Sequence, residues 1–210
     1  MDSTPYAETY GIQTKWGVPK PAYRAFQILS SMPRSGLPVR VAAAGAREAP
    51  RHPLRAGPAA NATATAGTVD CIAAVDSSAG GGTFSLHALL VNFNANIYDQ
   101  ENSSTGLPIA HESVTVTFEG LPSGARVSPT ATLQILDTAH GWAKQTWVAA
   151  GSPRYPNATQ IAAEMAASQL GSQQLPVVVE SPTTVTVQLP TMEPYATAHL
   201  VLQYETAVLS

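Results

Sequence analysis

Charge is scarce in this 210-residue chain: Asp, Glu, Lys and Arg together make up 12% of it. The formal net charge is −3, and no basic cluster interleaves with aromatic residues. Nothing in it therefore offers the phosphate-neutralising surface that nucleic acid requires. Cysteine is single, so Cys71 excludes an intrachain disulfide framework and any multi-cysteine metal site. It lies in the apolar run VDCIAAV, which suits an inert buried thiol. No run approaches the ~18 apolar residues of a membrane-spanning helix, so no membrane partner is expected. The opening MDSTPYAETYG lacks the basic flank and apolar core of a signal peptide. Also missing are a Gly-rich phosphate loop, a His-Glu-x-x-His pair and a Gly-x-Ser-x-Gly elbow. The five histidines (His52, His87, His111, His140, His199) are scattered without metal-ligand spacing and read as ordinary surface or strand residues. Neither a metal nor a cofactor is expected.

What is present is apolar and punctuated. Hydrophobic residues reach 44%, alongside 17 Pro and 15 Gly, a composition that suits a Thr/Val-rich extracellular β protein. Three glycosylation sequons begin at Asn61, Asn102 and Asn157. Such triplets arise by chance in Ser/Thr/Ala-rich text, yet they hint at secretion, against the unremarkable N-terminus. A secreted protein that lacks its N-terminal part would reconcile the two.

Residues 10–14 read as a short strand, 15–18 as a turn, and Pro19-Lys20-Pro21 as a helix entry, where proline is well tolerated. Ala22, Phe26 and Leu29 then recur at i, i+4 and i+7, an apolar stripe that calls for burial against something. From about residue 42 to 67 the text is Ala, Pro, Gly, Arg and Thr. It has too few large apolar residues to offset ordering entropy, and reads as a linker or an insertion loop. Strands follow at 69–75, 84–94, 113–121, 131–137, 183–189 and 198–204, with LPVVVE (175–180) a further candidate. Val114, Val116 and Phe118 alternate with Thr115 and Thr117, as a half-buried strand requires. One helix interrupts them: Asn157 as N-cap with Gln160 three residues on, Ile161 and Met165 as its stripe, and Gly171 as its stop. That cap lowers the expectation of a glycan at Asn157. The fold class is thus mainly β, an antiparallel β-sandwich with one packed helix, preceded by a terminal strand and helix.

Few residues suggest chemistry. Asp137 and His140 could form a catalytic pair, but a turn held by the Asp side chain is the preferred reading. Trp142, Trp147 and Tyr155 are the candidate substrate-binding residues. Indole faces match the apolar faces of pyranose rings, so they could line a sugar-stacking platform. The alternative, favoured here, is that they anchor their loop internally.

Three motifs carry a resemblance. They are Gly17-Val18-Pro19-Lys20-Pro21-Ala22-Tyr23-Arg24-Ala25-Phe26, the run from Leu89 to Asn94, and Leu136-Asp137-Thr138-Ala139-His140-Gly141 with Trp147 and Gly151-Ser152-Pro153-Arg154-Tyr155-Pro156. Together they resemble the C-terminal region of family 39 glycoside hydrolases, the β-xylosidase and α-L-iduronidase relatives. The resemblance implies a retaining glycosidase whose (β/α)8 barrel carries two glutamates, with a β-sandwich packed beside it. It implies that residues 1–36 are the last strand and helix of an otherwise absent barrel, 37–68 a linker or loop, and 69–210 the sandwich. The expected partners are that missing catalytic barrel and carbohydrate, and the parent enzyme is expected in a secreted or lysosome-like compartment. Glu8, beside the first strand, could border a cleft, but one carboxylate cannot perform a double displacement. No catalytic residue is carried over, and the chain alone is expected to be inactive. The alternative is a free-standing carbohydrate-binding or protein-interaction sandwich, its partner-facing surface the Tyr23/Phe26/Leu29 stripe.

Overall fold

A computed structural model describes residues 6, 11–37, 39–41, 61–64, 69–76, 82–93 and 111–206. Glu8, Asn102 and most of the expected linker lie outside these residues. The elements run α1 (Pro21–Ser30), β1 (Gly36–Leu37), β2 (Val39–Val41), β3 (Asn61–Ala64), β4 (Val69–Asp76), β5 (Thr83–Asn92), β6 (Thr115–Glu119), β7 (Arg126–Val127) and β8 (Thr130–Leu136). After them come α2 (Lys144–Ala149), α3 (Ala158–Ala167), β9 (Gly171–Pro176), β10 (Val178–Ser181), β11 (Thr184–Gln188) and β12 (Thr197–Glu205). The chain forms two compact units, Met1–Ser31 with Gln134–Ser172, and Met32–Leu133 with Gln173–Ser210. Neither is a contiguous stretch, whereas the sequence suggested boundaries at 36 and 68. Residues 36–37, 39–41 and 61–64, in or beside the expected linker, are strands.

The larger unit is the sandwich. One sheet has the order β1-β4-β5-β12-β8-β9, with β7 also on β12; the other runs β10-β11-β6-β3-β2. β4 pairs antiparallel with β1 and β5, β12 with β5 and β7, β6 with β3 and β11, and β10 with β11, whereas β2 and β3 are parallel. Alternate residues of both sheets meet in one core, including Leu86, Ala88 and Leu90 of β5, Leu200 and Leu202 of β12, Val116 and Phe118 of β6, and Val185 and Val187 of β11. Each large aliphatic or aromatic side chain buried there contributes roughly 1.5–3 kcal/mol relative to exposure. The Thr-Val-Thr alternation works because β6 and β11 pair in register, Thr117 opposite Thr186 and Val116 opposite Val187, so valines share the inner face.

The smaller unit contains α1, α2, α3 and the turn before α1. That turn is closed by Thr14 N–H to Val18 O (2.8 Å) and by Val18 N–H to Thr14 Oγ1 (3.1 Å). Among the described residues, the strand expected at 10–14 is a single bridge, Gln13 with Pro19. α1 begins with Pro21 at its first position, where a missing N–H costs nothing. The face it buries differs from the expected one. Arg24 and Ile28 are buried, whereas Phe26 is 62% and Leu29 49% exposed. At 100° per residue, 24 and 28 lie opposite the 22/26/29 stripe. Polar pairing explains the reversal: Arg24 Nε donates to Ser168 O (2.6 Å) and its Nη2 to Ser168 Oγ (3.3 Å).

α3 has the full capping box its sequence announces. Asn157 Oδ1 accepts from Gln160 N–H at 2.9 Å, and Gln160 Oε1 accepts from Asn157 N–H at 2.9 Å. The helix ends at Ala167, before the expected stop, and buries Glu164 and Ser168 rather than Met165, which is 38% exposed. Gly171 instead opens β9. A Cβ on it would lie 2.7 Å from the His140 ring and 2.9 Å from Ile135, so close approach explains this glycine.

Candidate functional site

The residues singled out by sequence cluster in the smaller unit, and most of them hold it together. Asp137 Oδ1 accepts from the backbone N–H groups of Ala139 (2.9 Å) and His140 (2.7 Å) and lies 2.8 Å from His140 Nδ1. One carboxylate oxygen thus engages three donors across a four-residue turn, as expected of an Asp-led turn. Gly141 follows with φ +80°, and a Cβ there would collide with Leu136. Gly151 (φ +85°) and Ser152 (φ +54°) close α2. Gly151 N–H donates to Val148 O and Ser152 N–H to Trp147 O, both at 3.0 Å, which makes a Schellman motif.

The three aromatic candidates do not form one platform. Trp147 is buried, with Nε1–H donating to Pro153 O at 3.0 Å and its ring 5.4 Å from that of Tyr6. It is an internal anchor, because a stacked sugar could not reach either face. Trp147→Phe should lose that hydrogen bond and leave a void where the indole packed, costing roughly 1–3 kcal/mol in urea unfolding; no measurable loss would remove the anchor role. Tyr155 is 69% exposed, but Lys15 Nζ lies 5.1 Å and Arg154 Cζ 5.6 Å from its ring centre. Trp142 is 37% exposed and lines an open depression of about 370 Å³ with Lys144, Gln145, Val148 and Ala149.

Two groupings escaped the sequence. Tyr6 OH donates to Glu164 Oε2 at 2.8 Å, while Glu164 Oε1 and Trp16 Nε1 are buried without hydrogen-bond partners. Burial, then the Glu164 carboxylate, pushes the Tyr6 hydroxyl far above its ordinary range. In the larger unit, His87 Nδ1 and His199 Nε2 stand 3.0 Å apart on neighbouring strands. Their ring centres are 5.2 Å apart, so the two nitrogens lie between the centres and the rings meet edge to edge. That is an N–H···N bridge rather than a face-to-face stack. Burial, then the charge of Asp70, pushes the Cys71 thiol up to about 12, away from the thiolate that reacts. Among the described residues no group of three or more His, Cys, Asp or Glu is placed to hold a metal, and no helix is long and apolar enough to cross a membrane.

A family model described as glycosyl hydrolases family 39 matches residues 2–180. The chain belongs to this family. A family 39 enzyme from Xanthomonas axonopodis pv. citri superposes with a TM-score of 0.59 at 14% identity, over 95% of this chain and 33% of that one. A monomeric beta-xylosidase from Caulobacter crescentus CB15 superposes with a TM-score of 0.50 at 14% identity, over 98% of this chain and 34% of that one. These similarities concern the fold, and the chain spans about a third of the length of either structure. The comparison with curated proteins finds no match. The motifs that resemble family 39 have structural jobs in this chain. Pro21 starts α1, Arg24 ties it to α3, Asp137 and Gly141 fix the turn after β8, and Gly151-Ser152 ends α2.

Proposed function

We propose that residues 1–210 act as the accessory, non-catalytic region of a retaining family 39 glycosidase of the β-xylosidase kind. The observation that carries this reading is a family match across residues 2–180 in a chain about a third as long as its structural neighbours. Retaining hydrolysis needs two carboxyl groups ~5–5.5 Å apart across the glycosidic bond. The resemblance carries neither family glutamate onto this chain, and Glu164 is buried against Tyr6, which supports the non-catalytic reading. The exposed 22/26/29 stripe of α1 supports a seat for the catalytic barrel: an apolar helix face left in water is unfavourable unless something covers it. Pure protein of these 210 residues should show no turnover of an aryl xyloside above the buffer rate. Sustained turnover, abolished by replacing a glutamate of this chain, would sink the accessory reading.

A saccharide-binding role is the second reading, favoured by the exposed Trp142 indole over its open depression. An indole face flanked by the Lys144 amine and Gln145 amide is suited to a pyranose ring, apolar on its faces and polar at its edge.

A further inference from the structure

The cap of α3 suggested from sequence that Asn157 is too occupied to carry a glycan, and its geometry reverses that expectation. Asn157 Oδ1 accepts from Gln160 N–H at 2.9 Å, and Asn157 N–H donates to Gln160 Oε1 at 2.9 Å. A backbone N–H can be answered only by the amide oxygen, so the cap fixes which way the amide points. Nδ2 takes no part in the capping box and has no hydrogen-bond partner among the described residues. An N-linked sugar is attached through that nitrogen and leaves the oxygen an acceptor. Cap and glycan thus call on different atoms of one side chain. The sequon also has room. Asn157, Ala158 and Thr159 are all exposed, as are Arg154 and Tyr155 before them, and only Pro156 turns inward. Ala158 is a permitted middle residue, and Thr159 supplies the hydroxyl that the sequon requires.

We propose that Asn157 is a modification site, carrying an N-linked oligosaccharide on Nδ2 while Oδ1 continues to cap α3. The donor is an oligosaccharide joined to a polyprenyl diphosphate. Nδ2 attacks its anomeric carbon, the bond from that carbon to the diphosphate oxygen breaks, and a carbon–nitrogen bond forms. One amide proton leaves to a base, and the polyprenyl diphosphate departs with the electron pair. The product is still a secondary amide whose carbonyl oxygen faces Gln160 N–H, so the helix start is kept. A glycan here hydrates the start of α3, which leaves the apolar stripe of α1, rather than the loop before α3, to meet a protein partner. The inference is independent of both functional readings.

Peptide mass spectrometry on the protein purified from the cells that naturally make it provides the test. The peptide spanning Asn157 should be recovered mostly as a glycopeptide. Peptide N-glycosidase in heavy-oxygen water should then convert Asn157 to a labelled aspartate. Recovery of that peptide unmodified would overturn the proposal, whatever is found at Asn61 or Asn102. Variants of the full chain, secreted from a eukaryotic host, give a second reading. Thr159→Ala removes the sequon and touches neither capping bond, so it should lose the mass of one glycan; a wild-type mass would overturn the site. Asn157→Asp keeps an acceptor at the cap and should lose the same mass with unchanged helix content by circular dichroism. If helix content falls in either variant, or after enzymatic removal of the sugar, cap and glycan are not independent and the proposal fails.

Discussion

Acidification from pH 7 to pH 4 should cost the larger unit about 3 kcal/mol through the His87–His199 bridge alone. His199 is 2% exposed, and burial, followed by the charge of His87, lowers it from 6.5 to about 4. Burial also lowers His87, against the opposing pull of the Asp76 carboxylate. The sign follows from proton counts. Between 6.5 and about 4 the unfolded chain holds a proton at His199 that the folded chain does not. Stability is therefore complete above 6.5 and declines as pH falls through that window, with no further loss from this group below it. One proton keeps an N–H between the facing nitrogens; a second would set two imidazolium rings against each other at 3.0 Å. Urea unfolding of wild type and His199→Gln at pH 4 to 7 provides the check. The glutamine variant should lose about 3 kcal/mol less across the range, whereas parallel curves would show that the bridge carries no proton linkage.

That bridge shows why some of this molecule was legible and some was not. Valines two apart, an Asn followed three residues on by Gln, and an Asp three before a His are local patterns. β6, β11, the α3 cap and the Asp137 turn follow from them directly. His87 and His199 are 112 residues apart in sequence. They meet only because β12 pairs with β5 so that His87 faces Val201 and His199 faces Leu89, a diagonal that local periodicity cannot supply. The same limit hid the buried faces of α1 and α3. Periodicity ranked Phe26, Leu29 and Met165 as inward, but Arg24 bonded to Ser168, and Glu164 bonded to Tyr6, turned polar faces in. Strands of two to four residues such as β1, β2, β3 and β7 are too short to show alternation. Trp147 could be weighed only as platform or anchor until its indole N–H was seen on Pro153.

Asn92 should prove among the least replaceable residues of the sandwich, for reasons that distinguish two close substitutions. It ends β5, is completely buried, and donates through Nδ2 to Met192 O (3.1 Å) and Glu193 O (3.0 Å). Its backbone closes the same junction, N–H to Ala196 O (3.0 Å) and C=O from Tyr195 N–H (2.8 Å). Tyr195 adopts φ +64° there, a conformation costly for a tyrosine and sustained by these bonds. Asn92→Ala removes one donor from each of two carbonyls that keep backbone partners in Glu112 N–H and Ala196 N–H, so the loss of two hydrogen bonds of about 1 kcal/mol each predicts a cost of about 2 kcal/mol. Asn92→Asp preserves shape but replaces the amide donor with an acceptor facing two carbonyl oxygens in a dry site. A carboxylate there sets a charged oxygen against two carbonyl oxygens or takes up a proton, so the cost at pH 7 should exceed the alanine value, at roughly 4 kcal/mol or more. Urea unfolding at pH 7 and pH 5 separates the two. The aspartate variant should regain stability relative to alanine on acidification, since a protonated carboxyl restores one donor. If aspartate is instead the milder change at pH 7, the amide is not what holds this junction.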